Sequence, residues 1–105
     1  MSSSRYAVRL LSIAEQDLQD IVAFVVAENL PAAVALADRV ENDLLRLARY
    51  PYLGKAPNDE QLAAMGYRVL VIENYLVFYK ISGRTVLVHR ILHGARDLPR
   101  LLEDG

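Results

Sequence analysis

Three stretches between residues 66 and 93 are too apolar for an ordinary half-wet sheet: Tyr67-Arg68-Val69-Leu70-Val71-Ile72, Tyr75-Leu76-Val77-Phe78-Tyr79 and Val86-Leu87-Val88-His89-Arg90-Ile91-Leu92. An antiparallel strand with one face in water alternates apolar with polar residues, whereas a strand covered on both faces need not. One cover is expected from the chain's own helices and the other from a separate molecule. Asn74 and Ser82-Gly83 separate the stretches, residue types that tolerate the positive φ of tight hairpins.

The helices that could form the first cover lie upstream. Arg5 to Leu11 reads as a first strand, and Ser12-Ile13-Ala14-Glu15 has the S-x-x-E form of a capping box. Ala14, Leu18, Ile21, Val22 and Val25 then fall on one stripe at helical spacing, which Phe24, Val26 and Ala27 widen. Asn29-Leu30-Pro31 ends that helix and starts another, with Ala33, Leu36, Ala37, Val40, Leu44, Leu47 and Ala48 as its apolar stripe. So short a connection implies an antiparallel helical hairpin. Pro51, Gly54 and Pro57 close it, and Lys55 to Ala64 reads as a polar loop. Asp97 can cap a last helical turn, with Pro99 inside it and Leu98, Leu101 and Leu102 turned inward. The order β-α-α-β-β-β-(α) describes an α+β domain with a helical hairpin on one face of an antiparallel sheet. Residues 1–105 make one domain, and residues 1–4 are expected to be disordered.

A chain of 105 residues can bury a core without staples, and it has no cysteine for disulfides or thiolate metal sites. Nothing resembles a signal peptide and no apolar stretch is long enough to span a bilayer, so the expected location is the cytoplasm. The net charge of -1 argues against simple phosphate tracking. It is unevenly placed, at -3 over residues 1–65 and +2 over residues 66–105, a weak nucleic-acid signal that ordinary surface charge explains as well.

Few residues invite chemistry. On one strand His89 and His93 lie roughly 13 Å apart, too far to share an ion. No carboxylate pair stands near them, so neither a metal nor any other cofactor is expected. There is no G-x-S-x-G elbow and no glycine-rich phosphate loop. What remains is a cationic and aromatic set near the sheet: Tyr67, Arg68, Tyr79, Lys80, Arg90, His93 and Arg96. Arginine can clamp phosphate, tyrosine can stack on a base and histidine can move a proton, the kit that RNA cleavage through the 2′-hydroxyl needs. The same residues at strand ends equally well cap a core, and a structural role is the default.

Together, several segments resemble the RelE/ParE superfamily of toxins from type II toxin–antitoxin modules: Ala14-Glu15-Gln16-Asp17-Leu18-Gln19-Asp20-Ile21, Leu47-Ala48-Arg49-Tyr50-Pro51-Tyr52-Leu53-Gly54, Gly66-Tyr67-Arg68, Tyr75 to Tyr79, and Arg90-Ile91-Leu92-His93-Gly94-Ala95-Arg96-Asp97. The resemblance covers nearly the whole chain. It implies a growth-inhibiting protein of the kind tied to plasmid stabilisation, neutralised by a cognate antitoxin, with a homodimer inside the heteromer allowed. It also implies antitoxin contacts at Phe24, Val25 and Val26 on the widened stripe and at Tyr75 and Tyr79 on the sheet.

The superfamily divides by target. RelE-like members cleave mRNA on the ribosome with basic residues on the sheet and a late tyrosine or histidine; ParE-like members lack that set and poison DNA gyrase. Here Arg68 and Arg96 match basic positions and His93 could exchange a proton, so these three are the catalytic candidates if the chain is a nuclease. Leu70 and Leu76 stand where further basic residues belong, and Leu101-Leu102 where the late aromatic belongs. The resemblance therefore favours the ParE-like branch, with no enzymatic activity, and leaves the ribosome-dependent endonuclease as the alternative.

Overall fold

The computed structural model describes residues 5–95 and residue 97. The expected disorder of residues 1–4, the last helical turn with Leu98, Pro99, Leu101 and Leu102, and candidate Arg96 lie outside the described residues. Strand β1 (Ala7–Leu10) leads into helix α1 (Ser12–Glu28) and helix α2 (Leu30–Arg49). A short helix α3 (Glu60–Ala64) precedes strands β2 (Arg68–Ile72), β3 (Tyr75–Ser82) and β4 (Thr85–His93). The strands form one sheet in the order β1-β4-β3-β2. β2, β3 and β4 pair antiparallel, but β1 runs parallel to β4, so the sheet is mixed and not antiparallel throughout.

The hairpin forms where the apolar stripes place it. Ala14 and Ile21 of α1 and Ala33, Leu36, Val40 and Leu47 of α2 are buried, the last three packing with Val77, Tyr79, Val86, Val88 and Ile91 of the sheet in one core. Asn29 joins the helices and accepts a hydrogen bond from the Ala32 amide through its side chain at 3.0 Å, an N-cap with Pro31 in the first turn. The capping box at Ser12 does not form. Leu11 still donates its amide to the Val88 carbonyl (2.9 Å), so the chain leaves the sheet only there; Leu11 is the N-cap and Ser12 is already helical. At the β2–β3 turn the positive φ falls on Glu73 (55°) and not on Asn74, while Gly83 takes φ 59° at the next turn as its type allows.

The chain itself covers part of the second face of the sheet. Residues 53–62 lie over Val69, Val71, Leu76 and Phe78 and leave an open pocket of about 560 Å³ between them. Lys55 and Val69 exchange backbone hydrogen bonds (2.9 and 2.7 Å), and Asp59 caps α3 by accepting from the Leu62 amide at 3.0 Å. Phe78 on this outer face is consequently only 3% exposed. The expectation of a bare sheet face is thus corrected in part: a segment read as a polar loop covers the β2–β3 portion, and the row of Arg9, Leu87 and Lys80 lies outside that cover. Exposed apolar side chains remain on that face at Val71 (59%), and others lie on the helices at Phe24 (55%), Val26, Leu30, Val34 and Leu45.

Candidate functional site

Two arrangements fix the side chains that the sequence singled out. The first is a clasp at the exit of α2. Tyr79 is fully buried on β3; its hydroxyl donates to the Pro51 carbonyl (2.8 Å) and accepts from the Gly54 amide (2.9 Å). Arg68, opposite Tyr79 on β2, donates to the carbonyls of Tyr52 and Gly54 and lies 5.1 Å from the Tyr52 ring centroid. Its guanidinium therefore anchors the 51–54 turn.

The second arrangement closes the edge of β4. β1 stops at Leu10, yet β4 continues to His93. Past that point Asp17 of α1 takes the place of a neighbouring strand, accepting from the Ile91 amide at 3.0 Å. The same carboxylate holds Arg90 through two bonds, at 2.8 and 3.0 Å. Hydrogen bonding to Asp17 raises the Arg90 pKa above its ordinary, already high value, so the guanidinium stays charged beside the carboxylate.

The two described catalytic candidates, Arg68 and His93, do not converge. Arg68 pairs with Tyr79 and His93 with Tyr75, four residues apart along β3 or roughly 13 Å. His93 stands edge-on to the Tyr75 ring at 5.4 Å, and its amide donates to the Asp97 carboxylate at 2.9 Å. Asp97 thus serves the end of β4. Of the antitoxin candidates, Phe24 and Val26 are exposed, Val25 and Tyr75 are half-buried against the core, and Tyr79 is enclosed. Tyr79 is corrected from the sheet surface to the interior, because its hydroxyl fastens the α2 exit.

A different group does come together, on the outer face. The pairing of β3 with β4 slips by one residue: Phe78 faces Arg90 and Tyr79 faces Val88, leaving His89 without an opposite residue in a β-bulge. The bulge turns His89 beside Tyr67, with Nδ1 3.4 Å from the Tyr67 hydroxyl and ring centroids 5.1 Å apart. Lys80 places its ammonium 4.5 Å from the Tyr67 centroid, and Tyr67 meets Phe78 edge-on at 6.4 Å. The sequence offered Tyr67 and Lys80 but considered His89 only as a metal ligand. Among the described residues no three His, Cys, Asp or Glu side chains converge as metal ligands, and no helix is long and apolar enough to cross a membrane.

Burial, and after it the charge of Lys80, hold the His89 pKa below its ordinary 6.5. The imidazole is therefore neutral at pH 7. As the pH falls past 6.5 an unfolded chain takes up this proton first, so the stability present above 6.5 is lost as the pH drops through the lowered folded value. An imidazole titration by NMR is expected to give His89 a pKa under 6.5, and Lys80→Gln is expected to move it up. His89→Gln should flatten the acid side of the stability profile. An unshifted His89 resonance would contradict this geometry.

Comparison with known proteins follows from this geometry. The model of the family "ParE toxin of type II toxin-antitoxin system, parDE" matches residues 8–98. Among solved structures, the chain is similar to one from the chromosomal ParDE toxin–antitoxin system of P. aeruginosa, with a TM-score of 0.70 and 19% identity over 87% of this chain and 98% of that one. It is also similar to a chain of the toxin–antitoxin complex RelBE2 from Mycobacterium tuberculosis, with a TM-score of 0.57 and 28% identity over 85% and 91% of the two chains. A search of curated proteins gives no match.

Proposed function

Because this chain belongs to the ParE toxin family of type II toxin–antitoxin systems, we propose that it arrests bacterial growth by binding and poisoning DNA gyrase and is neutralised by a cognate antitoxin. The observation that carries the choice of target is the commitment of Arg68 to backbone carbonyls and its separation from His93. Arg68 is tied to the Tyr52 and Gly54 carbonyls and pairs with Tyr79, four residues along β3 from the Tyr75 that His93 faces. A phosphate clamp and a proton donor that far apart cannot act on one scissile bond, since general acid–base groups must reach the reacting atoms within a hydrogen bond. Toxicity then resides in a surface. Besides the antitoxin contact assigned to Phe24 and Val26, the helices and β1 form an apolar groove of about 340 Å³ lined by Val8, Leu10, Leu18, Val22, Leu44 and Leu45. That groove suits an amphipathic helix laid along the hairpin.

The ribosome-dependent mRNA endonuclease is the second reading. It is favoured by the juxtaposition of a phenol, an imidazole and an ammonium at Tyr67, His89 and Lys80. Purified toxin is expected to inhibit supercoiling by gyrase while leaving ribosome-dependent cleavage of message absent. In cells, Phe24→Asp combined with Val26→Asp should leave toxicity intact and abolish rescue by the antitoxin. Unimpaired supercoiling at high molar excess, together with message cleavage, would reverse the assignment.

A further inference from the structure

We propose that the outer face of the sheet carries a binding site for single-stranded nucleic acid, with Arg9 and Lys80 holding backbone phosphates and the Tyr67–His89 pair receiving an unstacked base. The register of the strands builds this site. Arg9 of β1 pairs with Leu87 of β4, and Lys80 of β3 pairs with the same Leu87 from the other side. Val8 and Leu10 line the groove under the helices, and Val86 and Val88 are core residues. Side chains alternate across a strand, so Arg9, Leu87 and Lys80 lie in one row on the opposite face. Adjacent strands are about 4.8 Å apart, which sets the two cations roughly 10 Å apart at their Cα atoms. Two phosphates of one extended strand can meet such a pair.

The charges on this face are available. Asp43 engages Arg39 and Arg46 and Asp17 engages Arg90, and none of these pairs uses Arg9 or Lys80. Lys80 instead rests on the Tyr67 ring, which stands perpendicular to the His89 ring at 83°. Cations interleaved with aromatic rings are what a single strand requires: phosphates track the charges and any base can stack. A duplex hides its bases, and an apolar protein partner would leave Arg9 and Lys80 desolvated without counter-charge. The site does not depend on gyrase as the target. DNA opened by gyrase and mRNA offer the same phosphodiester and unstacked base.

The test is fluorescence anisotropy of the full chain with short labelled oligo-dT, oligo-rU and a DNA duplex. Both single strands are expected to bind more tightly than the duplex. With two phosphates neutralised at a slope of about −0.7 each, a tenfold rise in salt should weaken binding roughly 25-fold. Arg9→Gln combined with Lys80→Gln should cost about tenfold or more at low salt. His89→Ala should cost about fivefold or more, the low end of one lost stacking contact. Arg49→Gln combined with Arg84→Gln removes the same charge elsewhere and should change binding by less than about twofold. A preference for oligo-dT would point to opened DNA as the ligand and a preference for oligo-rU to RNA, and either supports the site. Absence of binding, equal binding of the duplex, or an equal loss in the two double variants would overturn it. A chain that binds oligonucleotide but spares gyrase would refute the gyrase reading alone, and the converse would refute this site alone.

Discussion

Gly54→Ala is expected to destabilise the domain by about 3 kcal/mol or more, combining overpacking with loss of a buried hydrogen bond. A Cβ at residue 54 would stand 2.6 Å from the Val69 carbonyl oxygen, 2.8 Å from the Tyr79 hydroxyl and 2.9 Å from Tyr79 Cε1. None of these atoms can yield cheaply. The Val69 carbonyl is held by the Lys55 amide, and the tyrosine ring is fully buried with its hydroxyl bonded on both sides. The turn would have to lift, opening the Tyr79 and Arg68 contacts together. Against a typical domain stability of about 5–15 kcal/mol this removes a large share. Urea denaturation monitored by circular dichroism should show the fall in midpoint; a midpoint equal to the parent's would mean that the turn does not close on Tyr79.

Asp17→Ala should cost about 2–4 kcal/mol, because one carboxylate satisfies a strand amide and a guanidinium at once. Arg90 is about one-third exposed, so water softens the loss of the ion pair; the Ile91 amide has no such relief. Asp17→Asn keeps an acceptor for Ile91 but not the charge, and should recover part of the loss. The alanine variant also opens the edge of β4, where a free amide row invites pairing with another chain. Light scattering on the variant is expected to reveal self-association absent from the parent. If Asp17→Asn is as unstable as Asp17→Ala, the strand-edge role is wrong.

Much of the fold was legible because burial leaves periodic traces. The stripes ending in Val25 and Ala48 located both helices, and the dense apolar runs located β2, β3 and β4. The parallel pairing of β1 was not legible: its partner lies far along the chain, and four residues carry no mark of direction. Residues 53–62 were missed as a layer because a five-residue helix is too short for an apolar period, and Lys55, Asn58 and Asp59 read as loop. Donor chemistry misled at Arg68, since a guanidinium that could clamp phosphate binds backbone carbonyls just as readily.

The bulge left a trace that alternation alone could have found. Val86 and Val88 point inward and the next buried residue on that side is Ile91, three positions on, with His89 and Arg90 between. A step of three where two is regular means an inserted residue, and the side chains at the insertion are the ones redirected.

The hairpin lies against one side of the sheet, whereas Arg9 and Lys80 face away from it, so the molecule has a front and a back separated by the thickness of its own strands. A ligand gripping the helices and one lying along the opposite side need not compete. A complex capped on the front alone would keep its back available, and full silencing would require a wrapper that reaches around the β1 margin.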